Sequence, residues 1–144
     1  MTMNRQFCTF YLDGLLFGVD LQNVQEVIRF LKMTRVPLAP EAVCGLLNLR
    51  GQIVTALDLR RRLELKPVPE GIVPMNVVVR ATDGAVSLLV DEIGEVVEVE
   101  ESSFEPPPET LRGKVRNMIL GVHKLSDRLM HVLDVERACH LEEL

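Results

Sequence analysis

Bulky side chains fill nearly every position from Phe7 to Leu12, Asp13-Gly14 follows, and Leu15-Leu16-Phe17-Gly18-Val19 resumes the apolar run. Two such runs around a dipeptide that tolerates positive φ predict a β-hairpin. Asp20 then precedes Val24, Val27 and Ile28. That spacing predicts a short helix through Arg29, capped by Asp20, with Glu26 on a different face. Pro37 and Pro40 bracket a loop, and Glu41–Cys44 has room for a short helical stretch. From Gly45 two strands are expected, turning at Arg50-Gly51. Met75–Arg80 and Val86–Val90 flank Thr82-Asp83-Gly84 as a second hairpin, and Asp91-x-Ile93-x-Glu95-Val96-Val97 loosely echoes Asp20-x-x-x-Val24-x-Glu26-Val27-Ile28.

That echo belongs to a repeat. Residues 45–61 recur 76 positions later as 121–137, with Gly45/Gly121, Leu49/Leu125, Leu57/Leu133, Asp58/Asp134 and Arg61/Arg137 identical. Columns shared by two copies encode scaffold, so function is sought where the copies differ. Arg50 is the sharpest difference, since Ser126 takes its place in the second copy. In each copy a strand (Ile53–Leu57, Leu129–Leu133) ends at Asp58 or Asp134, read as the N-cap of a short helix. Lys66–Pro74, rich in Pro and Gly, marks the join. The chain therefore reads as a single domain, 1–144, of pseudo-repeated subdomains at about 7–66 and 75–137 with a Pro-rich linker at 66–74. Four or five short strands per half make too small an open layer, and closure into two small barrels would remove the exposed edges. Val77–Val79 and the segment near Val24 are the expected seam between them.

Composition narrows the possible functions. Apolar residues make up 47% of the chain but aromatics only 4%, which suits a core of Val, Leu and Ile in strands. A net charge of −5 disfavours a general binder of phosphate backbones. Cys8, Cys44 and Cys139 are scattered without C-x-x-C spacing, which points to buried thiols in a reducing compartment and to no disulfide. Residues 1–6 are polar, and no apolar run nears the roughly 20 residues that cross a bilayer. A cytoplasmic protein without direct membrane insertion is expected.

The search for chemistry finds little. His123, His131 and His140 would have to converge for a metal site, yet eight residues of extended strand place the first two roughly 25 Å apart. Ordinary surface or half-buried histidines are the better reading. Nucleotide-binding, hydrolase and zinc-protease motifs do not occur. No catalytic residue, cofactor or metal is assigned. Arg60-Arg61-Arg62 is read as the solvated face of a short helix; together with Arg50 it is also the only dense positive cluster, which leaves a small-barrel nucleic-acid or phosphate-ligand binder as the alternative from another class. Arg50 differs because its turn can present a planar guanidinium to a partner carboxylate.

Gly45-x-x-Asn48-Leu49-Arg50-Gly51-x-Ile53-Val54-x-x-Leu57-Asp58-Leu59-Arg60, preceded by Phe17-Gly18-Val19-Asp20-x-x-x-Val24-Gln25-Glu26-Val27-Ile28, resembles the CheW family of chemotaxis coupling proteins. The resemblance continues through Val90-Asp91 and Glu95-Val96 to Gly121 and Leu133-Asp134-Val135-Glu136. It implies a mostly β fold of two packed five-stranded SH3-like β-barrels with short helices, and a non-enzymatic adaptor. The implied partners are the cytoplasmic tip of a methyl-accepting chemoreceptor and the regulatory domain of a CheA-type histidine kinase, with no nucleic acid. Carried over by motif, Val24, Glu26, Val27 and Arg50 match the receptor-binding region, and Gly45, Leu46 and Asn48 the kinase-binding region. Thr55, Cys44 and residues 122–126 depart from the family pattern, which suits the alternative of a chemotaxis-like pathway controlling surface motility or gene expression. An attached receiver domain is not expected.

Overall fold

The computed structural model describes residues 3–29 and 32–140, so positions 1, 2, 30, 31 and 141–144 of the expected single domain lie outside the described residues. Strands β1 (Asn4–Leu12) and β2 (Leu15–Asp20) form the first hairpin. Its turn has Asp13 and Gly14 at φ 49° and 78°, the two-residue geometry whose twist matches that of paired strands. Asp20 does act as a cap, accepting the Gln22 N–H, but the element it opens is one 3-10 turn, Leu21–Asn23. The helix expected through Arg29 is instead strand β3 (Val24–Ile28). A bulge explains the misleading spacing: the register shifts between Val24 and Glu26, so Val24 opposite Val79 and Val27 opposite Val77 share one face. One inserted residue gives a strand an apolar spacing of three, which over five residues imitates a helix.

Glu41 and Ala42 form a turn rather than a helix, and β4 (Val43–Leu49) and β5 (Gln52–Asp58) pair across the Arg50-Gly51 turn. Helix α1 (Leu59–Arg62) comes next, then the irregular linker, and β6 (Met75–Ala81) and β7 (Gly84–Val90) make the second hairpin. Strand β8 (Glu92–Glu100), a 3-10 turn and β9 (Phe104–Glu105) lead to α2 (Gly113–Met118), a helix that the apolar pattern does not predict. Strands β10 (Ile119–Lys124) and β11 (Leu129–Leu133) and helix α3 (Val135–Cys139) complete the chain. Asp58 and Asp134 cap α1 and α3, each accepting the backbone N–H three residues on.

Two sheets form among the described residues, in the orders β3-β6-β7-β5-β4 and β8-β1-β2-β11-β10-β9. With the 76-residue repeat as guide, β4 and β5 correspond to β10 and β11, and the orders become the same one, with β9 added. Each half lends its hairpin to the sheet of the other half. Each exchanged hairpin is joined to the other half on both sides, by the parallel contacts β5 with β7 and β11 with β2 and by the antiparallel contacts β3 with β6 and β8 with β1. The architecture is the mostly β, two-sheet SH3-like one, but the expected pair of closed five-stranded barrels is replaced by open ladders of five and six strands. Thr34 pairs with Leu46 at the β4 edge, and β9 comes after β8 with only three residues between them.

Eighteen buried residues form the central core, among them Phe10, Phe17 and Val19 of one sheet and Leu57, Val77, Val79 and Leu88 of the other. Val24 packs against this core. Smaller clusters fill the opposite face of each sheet, Leu47, Leu49, Val54, Ala56 and Val78 in one and Phe7, Leu16, Met130 and Val132 in the other. Polar clasps hold the exchanged hairpins. Asp91 accepts the Asp13 N–H at 2.9 Å and pairs with the buried Arg60 through its Nε and Nη2, one edge of the guanidinium, while Arg60 Nη1 donates to the Lys66 and Pro67 carbonyls. At the other hairpin, Glu136 accepts the Thr82 N–H.

Burial pushes the Asp91 carboxyl up, yet the Arg60 hydrogen bond, the Asp13 N–H and the Arg60 charge outweigh it, so the group titrates below its ordinary 3.8. The folded state thus binds this proton less readily than the unfolded chain, and the stabilisation is complete above 3.8 and lost as pH falls through the lower folded-state value. Asp91→Asn, which leaves the Arg60 charge buried without its counter-ion, is expected to cost about 3 kcal/mol at neutral pH. In urea unfolding across a pH series, the gap between variant and wild type should narrow only below 3.8; a constant gap would show that the ion pair is not its source.

Candidate functional site

The turn between β4 and β5 has Arg50 at φ 50° and Gly51 at φ 86°. Two residues at positive φ suit a tight hairpin, but the first is ordinarily Asn, Asp or Gly. An arginine there costs about 1–2 kcal/mol of backbone strain. Asn48 accepts the Gly51 N–H at 2.9 Å and closes the turn from outside. The Arg50 side chain is 78% exposed, yet both terminal nitrogens are engaged: Nη1 donates to Glu26 Oε2 at 2.5 Å and Nη2 to Oε1 at 3.1 Å. That hydrogen bond, then the Glu26 charge, pushes the guanidinium further up, so it stays cationic. The pair bridges β3 and the β4–β5 turn, which belong to the two edges of the five-stranded sheet.

Of the four residues expected on the receptor side, Glu26 and Arg50 are in contact. Val24 and Val27 lie on the other face of β3, opposite Val79 and Val77 of the neighbouring strand β6; Val24 is half-buried and Val27 is exposed. Strand β3 therefore offers an apolar face and a charged face at one edge.

The three residues expected on the kinase side share β4 but differ in what they can offer. Gly45 is buried, and a Cβ on it would lie 2.6 Å from the Thr34 carbonyl oxygen. Gly121, its repeat partner, meets the Glu105 carbonyl in the same way, which explains the shared column. Leu46 is half-buried and exchanges both backbone hydrogen bonds with Thr34. Asn48 is exposed and opposes Ile53, which is 61% exposed and which sequence reasoning misses. The repeat comparison conceals Ile53, because Leu129 in the other copy is also aliphatic. Beyond Ile53 and Thr55 a groove runs past Val86 to Met118 of α2 and Arg137 of α3.

The expected solvated face of Arg60–Arg62 is reduced to Arg61. Arg60 is buried on Asp91, and Arg62 donates to the carbonyls of Arg137, Ala138 and His140. Of the three, Arg61 is exposed, beside Glu41 and Asp58, and Arg62 is half-buried. A phosphate-binding patch loses two of its cations. His123 and His131 are buried rather than surface residues, and the β10–β11 hairpin folds them back onto adjacent strands. They still point to opposite faces, because His123 opposes Met130 and His131 opposes Val122. Among the described residues no group of three His, Cys, Asp or Glu is placed to hold a metal. The three thiols are free, with Cys8 buried.

The family model of the CheW-like domain matches residues 6–143. The chemotaxis protein CheW of Helicobacter pylori is 30% identical over 131 residues, covering 91% of this chain and 79% of that protein. The chemotaxis protein CheW of Bacillus subtilis is 30% identical over 125 residues, covering 87% and 80%. The crystal structure of the scaffolding protein TtCheW from Thermoanaerobacter tengcongensis superposes with a TM-score of 0.88 at 27% identity, covering 96% of this chain and 94% of that one.

Solvent screens the guanidinium of this ion pair, while glycine would relieve the positive φ at position 50. Arg50→Gly should therefore leave the midpoint of denaturant unfolding unchanged or slightly raised. A clearly lowered midpoint would make Arg50 part of the scaffold. Gly45→Ala and Gly121→Ala should behave oppositely, each costing about 1–3 kcal/mol because backbone must move. Unchanged melting temperatures would mean that these close approaches relax freely.

Proposed function

Because the chain belongs to the CheW-like family, we propose that it is a non-enzymatic chemotaxis adaptor coupling the cytoplasmic tip of a methyl-accepting chemoreceptor to the regulatory domain of a CheA-type histidine kinase. The observation that carries this reading is the exposed guanidinium of Arg50, held on a strained turn that the second copy of the repeat builds without arginine. Strain kept at a solvent-facing position is supported by what the side chain does there, and what Arg50 can do is pair with carboxylates.

The receptor side comprises Val24, Glu26, Val27 and Arg50. A helical hairpin lays an apolar stripe against Val27 and the flank of Val24, and its carboxylates compete with Glu26 for Arg50. Glu26 sets the threshold of that exchange, since a partner must offer a geometry at least as good as the internal one. The kinase side is the β4 region of Gly45, Leu46 and Asn48. There Gly45 shapes the backbone, and Leu46 contributes surface together with Ile53. No helix among the described residues is long and apolar enough to cross a membrane. Action in the cytoplasm, with membrane arrays reached through the receptor, is part of the same proposal.

Arg50→Glu places like charge against Glu26 and should weaken capture of a soluble receptor-tip fragment at least about tenfold, with kinase-domain capture and the circular dichroism spectrum kept. Val27→Arg should weaken receptor capture similarly, by putting charge on the apolar face. Undiminished receptor binding by both variants would remove this surface from the interface.

A further inference from the structure

We propose that Asn48 is a positioning residue for receptor recognition: its carboxamide holds the turn that aims the Arg50 guanidinium, so it acts through Arg50 and not by contact with the kinase. The inference rests on the receptor-side reading of Arg50 and withdraws Asn48 from the kinase surface.

The turn itself has nothing packed over it to keep its shape. Asn48, Arg50 and Gly51 are all exposed. Arg50 occupies a region of backbone space that arginine disfavours, and unsupported it would drift toward negative φ, swinging the side chain away from Glu26. The bond from the Gly51 N–H to Asn48 Oδ1 closes a ring around Arg50 and supports that conformation from a neighbouring residue. Its geometry is that of a short polar side chain capping the peptide three residues ahead, which asparagine and aspartate do well and alanine cannot.

The second copy of the repeat is an internal control. There Lys124 stands for Asn48 and Ser126 for Arg50. No residue from 124 to 128 has positive φ; a backbone bond from the Leu125 N–H to the Arg128 carbonyl closes the turn, and Lys124 reaches across to Glu105. Side-chain cap, left-handed turn and arginine occur together in one copy and are all missing from the other. A residue used only to touch the kinase would have no reason to track the arginine in this way.

The experiment uses the full chain with Asn48→Ala, Asn48→Asp, Arg50→Ala and the double Asn48→Ala/Arg50→Ala variant. Affinities are measured by calorimetry for a soluble receptor-tip fragment and for a kinase regulatory domain, and exchange of the Gly51 amide by NMR. Asn48→Ala should speed Gly51 exchange and weaken receptor binding about threefold to tenfold, the span of one net hydrogen bond. Asn48→Asp, which keeps the acceptor oxygen, should restore both to within about twofold. The double variant should bind receptor no more weakly than Arg50→Ala, and kinase affinity should move less than about twofold throughout. The proposal is overturned if Asn48→Ala lowers kinase affinity, if it leaves receptor affinity intact, or if its loss adds in full to that of Arg50→Ala. If Arg50→Ala itself binds receptor normally, the receptor-side reading falls and this inference with it; if Arg50→Ala binds weakly and Asn48→Ala normally, the inference alone falls.

Discussion

Burial of two aliphatic sheet faces against one another is the constraint on which the rest of the molecule depends. Neither half of the repeat supplies a whole sheet. Strands β3, β4 and β5 need β6 and β7 to complete their ladder, and β8, β10 and β11 need β1 and β2. The exchanged hairpins carry Phe10, Phe17 and Val19 in one direction and Val77, Val79 and Leu88 in the other, so the central core exists only when both exchanges are made. Such reciprocity couples the halves into one cooperative unit, and it explains why the polar clasps, the part-buried Asp91–Arg60 pair and the exposed bond from Thr82 to Glu136, sit where the hairpins dock.

Duplication leaves two equivalent seams where sheet edges come together, and the two have been finished differently. Near β9 and β10 the seam is aromatic. His123 lies between Phe7 and Phe104, with Ser103 on its Nδ1, and burial, aided by the Arg5 charge, pushes its pKa down and favours the neutral ring. Near β3 and the β4–β5 turn the seam is wet and charged, closed by Arg50 and Glu26 in solvent. A seam closed by aromatic packing has no carboxylate to exchange. One closed by an exposed ion pair can exchange its carboxylate, at little cost to the fold, because such pairs stabilise it weakly.

Strain is distributed accordingly. The scaffold positions obey backbone preference, with Asp and Gly at the β1–β2 turn and Asp caps on α1 and α3. Arg50 breaks that preference at a turn where a charge is displayed, as the exposed Leu38 and Glu64 break it elsewhere at φ 62° and 55°. A local rule broken at a solvent-facing residue, with a neighbouring asparagine supporting it, is the signature of selection for something other than stability.

Much of this was legible in the chain. The hairpins at 7–19 and 75–90, the strand pair around Arg50-Gly51 and both Asp caps come from alternation, turn chemistry and capping preference, which are local properties of a few adjacent residues. The repeat exposed Arg50 because a comparison of two copies needs no coordinates. Local pattern failed at β3, where a bulge in the pairing with β6 produces the apolar spacing of a helix, and at Arg60, whose burial depends on Asp91 from thirty-one residues away. Exchange of hairpins, the pairing of Glu26 with Arg50 and the display of Ile53 were likewise beyond it. Sequence alone determined which segments become strands and turns, since those choices depend on neighbours in the chain. Only the tertiary structure decided which strands share a sheet and which charges meet, because those outcomes depend on contacts between residues that the chain keeps far apart.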